Sequence, residues 1–129
     1  MRASGRFASY SWKKHEEVRV TTMDELIARF GIPVFCKIDV EGFEYQVVRG
    51  LSQPAGIISF EFTPEYLEPA LDSIRYLSGL GKTVFNYSPG ESMHLALVDW
   101  AAPDEIIHIL TTLPDRFVFG DVYARFFGK

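Results

Sequence analysis

Short apolar runs and helical stripes take turns along this chain. TTMDELIARFG carries Leu26, Ile27 and Phe30 at helical spacing. Thr22 followed by Glu25 forms a capping box, in which hydroxyl and carboxylate each serve a free backbone N–H. Asp24 and Glu25 suit the positive helix start, Gly31 ends the helix, and Pro33 forbids its return. VFCKIDV then reads as a strand rich in β-branched residues. Period two puts Phe35, Lys37 and Asp39 on one side, with Cys36, Ile38 and Val40 on the other. Gly42 marks a turn. FEYQVVRGL is helical, with Phe43, Val47 and Leu51 stacked at one-turn intervals and Gly50 and Pro54 at its end. GIISFEFT is a second buried-looking strand. Pro64 opens the longest helix, where Leu67, Ala70, Leu71, Ile74 and Leu77 form a core stripe and GLG stops it.

The pattern then changes. Two strand-like runs, 83–87 and 94–100, flank SPGES, a cluster of turn-forming residues, and predict an antiparallel hairpin. Pro103 starts a helix whose buried face is Ile106, Ile109, Leu110 and Leu113. The aromatic tail FVFGDVYARFF reads as a short final strand or a packed loop, and residues 18–20 as the close of a short strand. Strand–helix alternation predicts an α/β fold, a parallel sheet with helices on both faces. The hairpin adds an antiparallel member at its end.

Composition narrows the class. The chain has 129 residues, 47% hydrophobic and 23% charged, which suits one globular domain. Its net charge of −4 argues against a general nucleic-acid binder. Residues 1–20 hold five Lys/Arg and two Glu, so they carry +3 and the remainder −7. The basic start reads as a solvated arm, or as a contact for an acidic partner. The single cysteine, Cys36, sits in an apolar run and reads as a buried, inert thiol. With one cysteine there is no internal disulfide and no cysteine-based zinc site within the chain. There is no run of 18 apolar residues and no apolar leader, so a cytoplasmic protein is expected.

In open α/β sheets ligands bind beyond the carboxyl ends of the strands. Asp39 and Glu41 leave the first clear strand there, and Glu61 leaves the second. Converging carboxylates could hold Mg²⁺, with Asp39 and Glu61 as ligands. One with a raised pKa could instead act as a general base, and Lys37 could orient a substrate oxygen. A purely structural reading stands beside this: Glu41 and Glu44 serve a helix dipole, and Lys37 pairs with Asp39. His15, His94 and His108 show no ligand spacing, although His94 could face the crevice. Ser92 has no nucleophile elbow around it. Trp12 and Trp100 read as core or interface residues. No G-x-G-x-x-G occurs, and the glycines of RGLSQPAG and SGLGK read as helix caps.

Lys37-Ile-Asp-Val-Glu-Gly42, with Glu44 and VVRGL behind it, resembles the FkbM-type methyltransferases. TTMDELIARFG is similar to the segment that precedes this motif in the family, and ISFEF, VFNYSPGE and GDVYARF are softer likenesses. The resemblance runs from about Val18 to about Arg125. It implies S-adenosylmethionine-dependent methylation of oxygen, on sugars or natural products. It also implies a class I (Rossmann-like) sheet of order 3-2-1-4-5-7-6, strand seven antiparallel. Residues 34–40 would be strand four, 57–62 strand five, and the hairpin strands six and seven. Asp39 and Glu41 fall where donor and acceptor meet in that fold, with Lys37 and Glu61 in support. The family's first three strands and its glycine-rich loop should precede VTTMDEL, where only about 20 residues stand. Residues 18–129 therefore look like the carboxyl-terminal half of the domain, behind an arm of residues 1–17. Strand four would keep an open edge for the arm, a second copy or a partner chain to cover. The expected ligand is a small-molecule or sugar acceptor, not nucleic acid or membrane. The alternative is a non-catalytic interaction module that docks on a partner.

Overall fold

The computed structural model describes residues 20–114 and 119–128. The arm of residues 1–17, with Trp12 and His15, lies outside them, as do residues 18 and 19 of the expected first strand.

Among the described residues, four helices and four strands follow in the order α1 (Met23–Phe30), β1 (Phe35–Ile38), α2 (Glu44–Val48), β2 (Ile57–Phe62), α3 (Glu68–Ser78), β3 (Lys82–Pro89), α4 (Pro103–Thr111) and β4 (Gly120–Gly128). Helix α1 forms as its caps dictate. The Glu25 N–H donates to the Thr22 hydroxyl at 3.1 Å, and the Thr22 N–H donates back to the Glu25 carboxylate at 3.3 Å. Met23 and Ile27 supply its buried face, whereas Leu26 and Phe30 face solvent. Asp24 ties the helix to the next one: its N–H donates to the Gly50 carbonyl, and its carboxylate accepts the Ser52 N–H. Helix α2 spans only five residues and buries Glu44 and Val48; Phe43 stays exposed. Helix α3 begins at Glu68 rather than Pro64, because a tight turn closed by a Thr63–Tyr66 bridge comes first. The stripe Ala70, Leu71, Ile74 and Leu77 is buried as expected.

The sheet is mixed, with strand order β1-β2-β4-β3. β1 and β2 are parallel, while β4 lies antiparallel to both its neighbours. This corrects the expected hairpin. β3 pairs with β4 from Lys82↔Gly128 to Pro89↔Gly120, and residues 94–100 form no strand. They do run back beside β3. Phe85 exchanges both backbone hydrogen bonds with Ala101, and the Ala96 N–H reaches the Tyr87 carbonyl. Four residues between Ala96 and Ala101 thus oppose Asn86 alone, so no continuous ladder can form. The Asn86 carboxamide fills the gap: its Nδ2 donates to the Leu97 carbonyl at 2.9 Å, and its Oδ1 accepts the Leu97 N–H at 3.0 Å.

The helices are not divided between both faces. Buried side chains from all four helices join Ile38, Ile58, Phe60, Phe62, Phe85 and Val122 in one cluster on one side of the sheet. The reason is handedness. The crossovers from β1 to β2 and from β2 to β3 travel the same way across the sheet, so right-handed connections put α2 and α3 on the same side. Gly56 permits the close approach of the two parallel strands: a Cβ there would sit 2.1 Å from the Val34 carbonyl oxygen. Cys36 is only half-buried, with burial pushing its thiol pKa up. Val34 is 85% exposed at the outer edge of β1.

Candidate functional site

The sheet face turned away from the helices is organised in cross-strand rows. The register aligns Lys37 with Ser59, Tyr123 and Asn86 across the four strands. Two residues further along, Glu61 lies directly opposite Asp121, and Asp121 opposite Ser88. Asp39, one residue past the end of β1, continues the same register toward Glu61. Strand alternation therefore sends two polar rows to one face, at the end of the sheet where β1 and β2 finish.

These rows floor a cleft of about 600 Å³, within the usual range for a small-molecule site. Lys37, Ile38, Asp39 and Glu61 line it together with Asp121 and Tyr123. Ser88 near the end of β3, Gly90, Glu91 and Met93 from the turn after it, and Phe119 before β4 complete the wall. Lys37 Nζ stands 3.6 Å from Asp121 Oδ1, so its partner is Asp121 and not Asp39, as the neighbouring position had suggested. Both side chains are solvent-accessible, and such a pair contributes at most about 1 kcal/mol.

Glu61 is the perturbed acid. Burial pushes its pKa up, the negative charges of Asp121, Glu44 and Asp39 push it further, and Lys37 opposes them. Carboxylates directly opposite one another on a sheet repel, and Glu61 answers by holding its proton more tightly. Glu44 is buried at the start of α2, where its Oε1 accepts the Gly42 N–H at 3.0 Å and closes the turn. Its Oε2 and the buried Ser59 hydroxyl have no hydrogen-bond partner among the described residues.

The turn Glu41-Gly42 is left-handed at both residues, with φ of 48° and 101°. Gly42 accommodates this freely, whereas Glu41 pays about 1–2 kcal/mol. Met93, at φ 64°, is a second such residue, on the cleft rim. Of the residues singled out from sequence, Lys37, Asp39 and Glu61 converge. Glu41 is exposed on the turn and is not part of the wall. His94 lies in the exposed segment after the rim, and His108 is exposed on α4. Trp100 packs under the Arg125 guanidinium, 4.4 Å from its ring centroid. Asp121 and Tyr123 were missed, although the alternation in GDVYARF carried the signal. Among the described residues no three His, Cys, Asp or Glu side chains form a group that could hold a metal ion.

The fold and the cleft define an α/β protein with an acid-rich site at the carboxyl ends of parallel strands. The model of the methyltransferase FkbM domain matches residues 2–82, and the chain belongs to that family. The match takes in the Lys37–Gly42 motif, α1, α2, β2 and α3, and it stops before SPGE and GDVYARF. No curated protein and no solved structure matches the chain. No helix among the described residues is long and apolar enough to cross a membrane.

Proposed function

We propose that this chain carries the acceptor side of an S-adenosylmethionine-dependent O-methyltransferase site. The observation that carries the reading is the convergence of Lys37, Asp39 and Glu61, the family motif and its neighbour strand, in one cleft. The strand order supports it: β1-β2-β4-β3 with β4 reversed corresponds to strands 4-5-7-6 of a class I methyltransferase sheet, with β4 as strand seven. The residues present suit only part of the donor. Carboxylates favour a sulfonium's positive charge, but the sequence has no G-x-G-x-x-G, and among the described residues no glycine-rich turn follows a strand to cradle a nucleoside. The chemistry assigned here is therefore that of the acceptor.

A hydroxyl must lose its proton as it is methylated. Glu61, with its raised pKa, is the base best matched to that task. Asp39 orients the acceptor by accepting a second hydroxyl, and Lys37, held by Asp121, donates to an acceptor oxygen. Tyr123, Ile38 and Phe119 add apolar wall, which suits the ring carbons of a sugar or a natural product. Glu41 shapes the turn and does not touch the acceptor.

The test is methyl transfer from labelled S-adenosylmethionine to a panel of sugar hydroxyls, with calorimetry of donor binding. Glu61→Gln should lower the rate by about 10²–10⁴ while the fold is kept. Asp39→Asn should act mainly on the acceptor's KM. A folded chain that neither binds donor nor transfers label would end the autonomous-enzyme reading. It would leave a second one, a module completed by a partner, which the outer edge of β1, unpaired among the described residues, and the exposed Val34 and Phe35 favour.

A further inference from the structure

The two halves of the cleft come from different parts of the chain. Lys37, Ile38, Asp39 and Glu61 form the near half, within the residues that the family model matches. Ser88, Glu91, Met93, Asp121 and Tyr123 form the far half, all beyond residue 82, where that match ends. Along the floor, Glu61, Asp121 and Ser88 stand in one row on neighbouring strands, and Asp39 extends the row one residue past the end of β1. Three strand spacings carry this row about 14 Å, further than one pyranose ring reaches. The cleft volume of about 600 Å³ likewise exceeds a single sugar and suits a ligand of drug size. An ionised carboxylate can only accept hydrogen bonds, so a ligand lying along the row must bring donors, as sugar hydroxyls do. Tyr123 sits one row below on the same face, its ring stacked on Phe35 with centroids 6.4 Å apart. That ring offers an apolar surface to the C–H face of a sugar.

The far rim is braced. The Gly90 N–H donates to the Phe119 carbonyl at 2.8 Å, the Ser92 N–H to the Pro89 carbonyl at 3.1 Å, and the Ala96 N–H to the Tyr87 carbonyl at 2.7 Å. The Ser92 hydroxyl meets the Ser88 hydroxyl and accepts the His94 N–H, each at 3.3 Å. Between these ties Met93 is held in left-handed backbone, φ 64°, and is 89% exposed. Such backbone is costly for a residue with a Cβ and persists where the surroundings impose it. A soft, adaptable thioether therefore stands at the cleft mouth with its apolar surface open. We propose that the far half of the cleft is a second sugar subsite, and that the acceptor is a glycoside of at least two rings. The inference rests on the acceptor reading of the near half. The ring to be methylated lies over Asp39 and Glu61. The next ring lies over Asp121 and Ser88, with hydroxyls donating to Asp121 and Glu91 and its C–H edge against Met93. Chemistry then belongs to the family motif and β2, and specificity to Glu91 and Met93.

Titrations followed by amide NMR shifts compare the methyl glycosides of glucose, galactose, mannose, fucose and rhamnose with disaccharides ending in each. The best disaccharide should bind about tenfold or more tightly than its terminal sugar alone. Met93→Asn removes the apolar contact and keeps the fold, because Asn tolerates left-handed backbone. Combined with Glu91→Gln, it should cut that ratio to about threefold or less. Asp39→Asn, in the near half, should weaken both ligands by a similar factor and preserve the ratio. A panel in which no disaccharide exceeds its terminal sugar overturns the proposal, as does a ratio that survives the Met93→Asn, Glu91→Gln pair. So does a p-nitrophenyl glycoside that binds as tightly as the best disaccharide, because the second ring would then need no hydroxyls. The transfer assay separates this from the methyltransferase reading. Methyl transfer to one ring as efficiently as to two ends the second subsite and keeps the methyltransferase. A two-ring preference in binding with no transfer does the reverse.

Discussion

At the β3 edge of the sheet, Phe85 exchanges two backbone hydrogen bonds with Ala101, at 2.8 and 2.7 Å, and Asn86 lends its carboxamide to Leu97. At the β1 edge, Phe35 and Lys37 meet no described strand. The two edges pose the same physical problem, a row of unpaired N–H and C=O groups. One is solved inside the chain, by a returning segment too irregular to be a strand. The other is left with exposed apolar side chains around it. Among the described residues, the chain closes the first edge itself and leaves the second unpaired. The difference also separates rigidity from chemistry: the polar rows of the cleft draw on both halves, Lys37 and Asp39 from the unpaired side and Asp121 and Ser88 from the closed side.

The sharpest break in this contrast is a pair of truncations. Phe60→Ala, at a fully buried position on the central strand β2, should cost about 3–5 kcal/mol in chemical denaturation. Phe35→Ala, about half exposed on β1, should cost far less, within roughly 1 kcal/mol. Equal losses would mean that β1 is as well packed as β2 and that the contrast is unreal. Next in size is Asn86→Ala. It strands the Leu97 N–H and carbonyl and the Tyr87 N–H that its Oδ1 also receives. A loss of about 2–4 kcal/mol is expected, with faster hydrogen exchange at Leu97 and Ala101 and none gained at Cys36.

The smallest expected effect is on pH dependence. Glu61 holds its proton more tightly in the folded chain than in the unfolded one. Its contribution to stability is therefore fully present below the ordinary carboxylate range and is lost as pH rises through its raised pKa. Glu61→Gln should flatten the stability profile in that window, as read by urea melts at a series of pH values. Asp121→Asn should lower the Glu61 pKa and move the window down, because it removes the charge directly opposite.

Much of the helical half was legible. Thr22 and Glu25 announced α1, the three- and four-residue spacing from Ala70 to Leu77 announced α3, and Pro103 announced α4, because caps and stripes act within a few residues. The strand after Ala102 was harder. The segment 94–100 looks like a strand, yet it meets β3 through one backbone bond at Ala96 and the Asn86 side chain, and the true neighbour of β3 arrives some thirty residues later. Leu26 and Phe30 share the helical spacing of Ile27 yet face solvent, because periodicity marks an apolar stripe without saying how much of it another element covers. The cleft was half legible. Lys37, Asp39 and Glu61 could be placed at strand ends, but Asp121 and Tyr123 depend on which strand sits beside β2.

By itself the sequence determined the α/β class, the caps of α1, the face shared by Phe35, Lys37 and Asp39, and the likeness to the FkbM family that the domain match bears out. Those are local properties, set by spacing of two or of 3.6 residues and by a short motif. Only the tertiary structure decided that β4 inserts between β2 and β3, that all four helices share one core, and that Lys37 answers to Asp121. Each of these depends on contacts between residues far apart in the chain, where register and crossover handedness choose the neighbour and no local signal can.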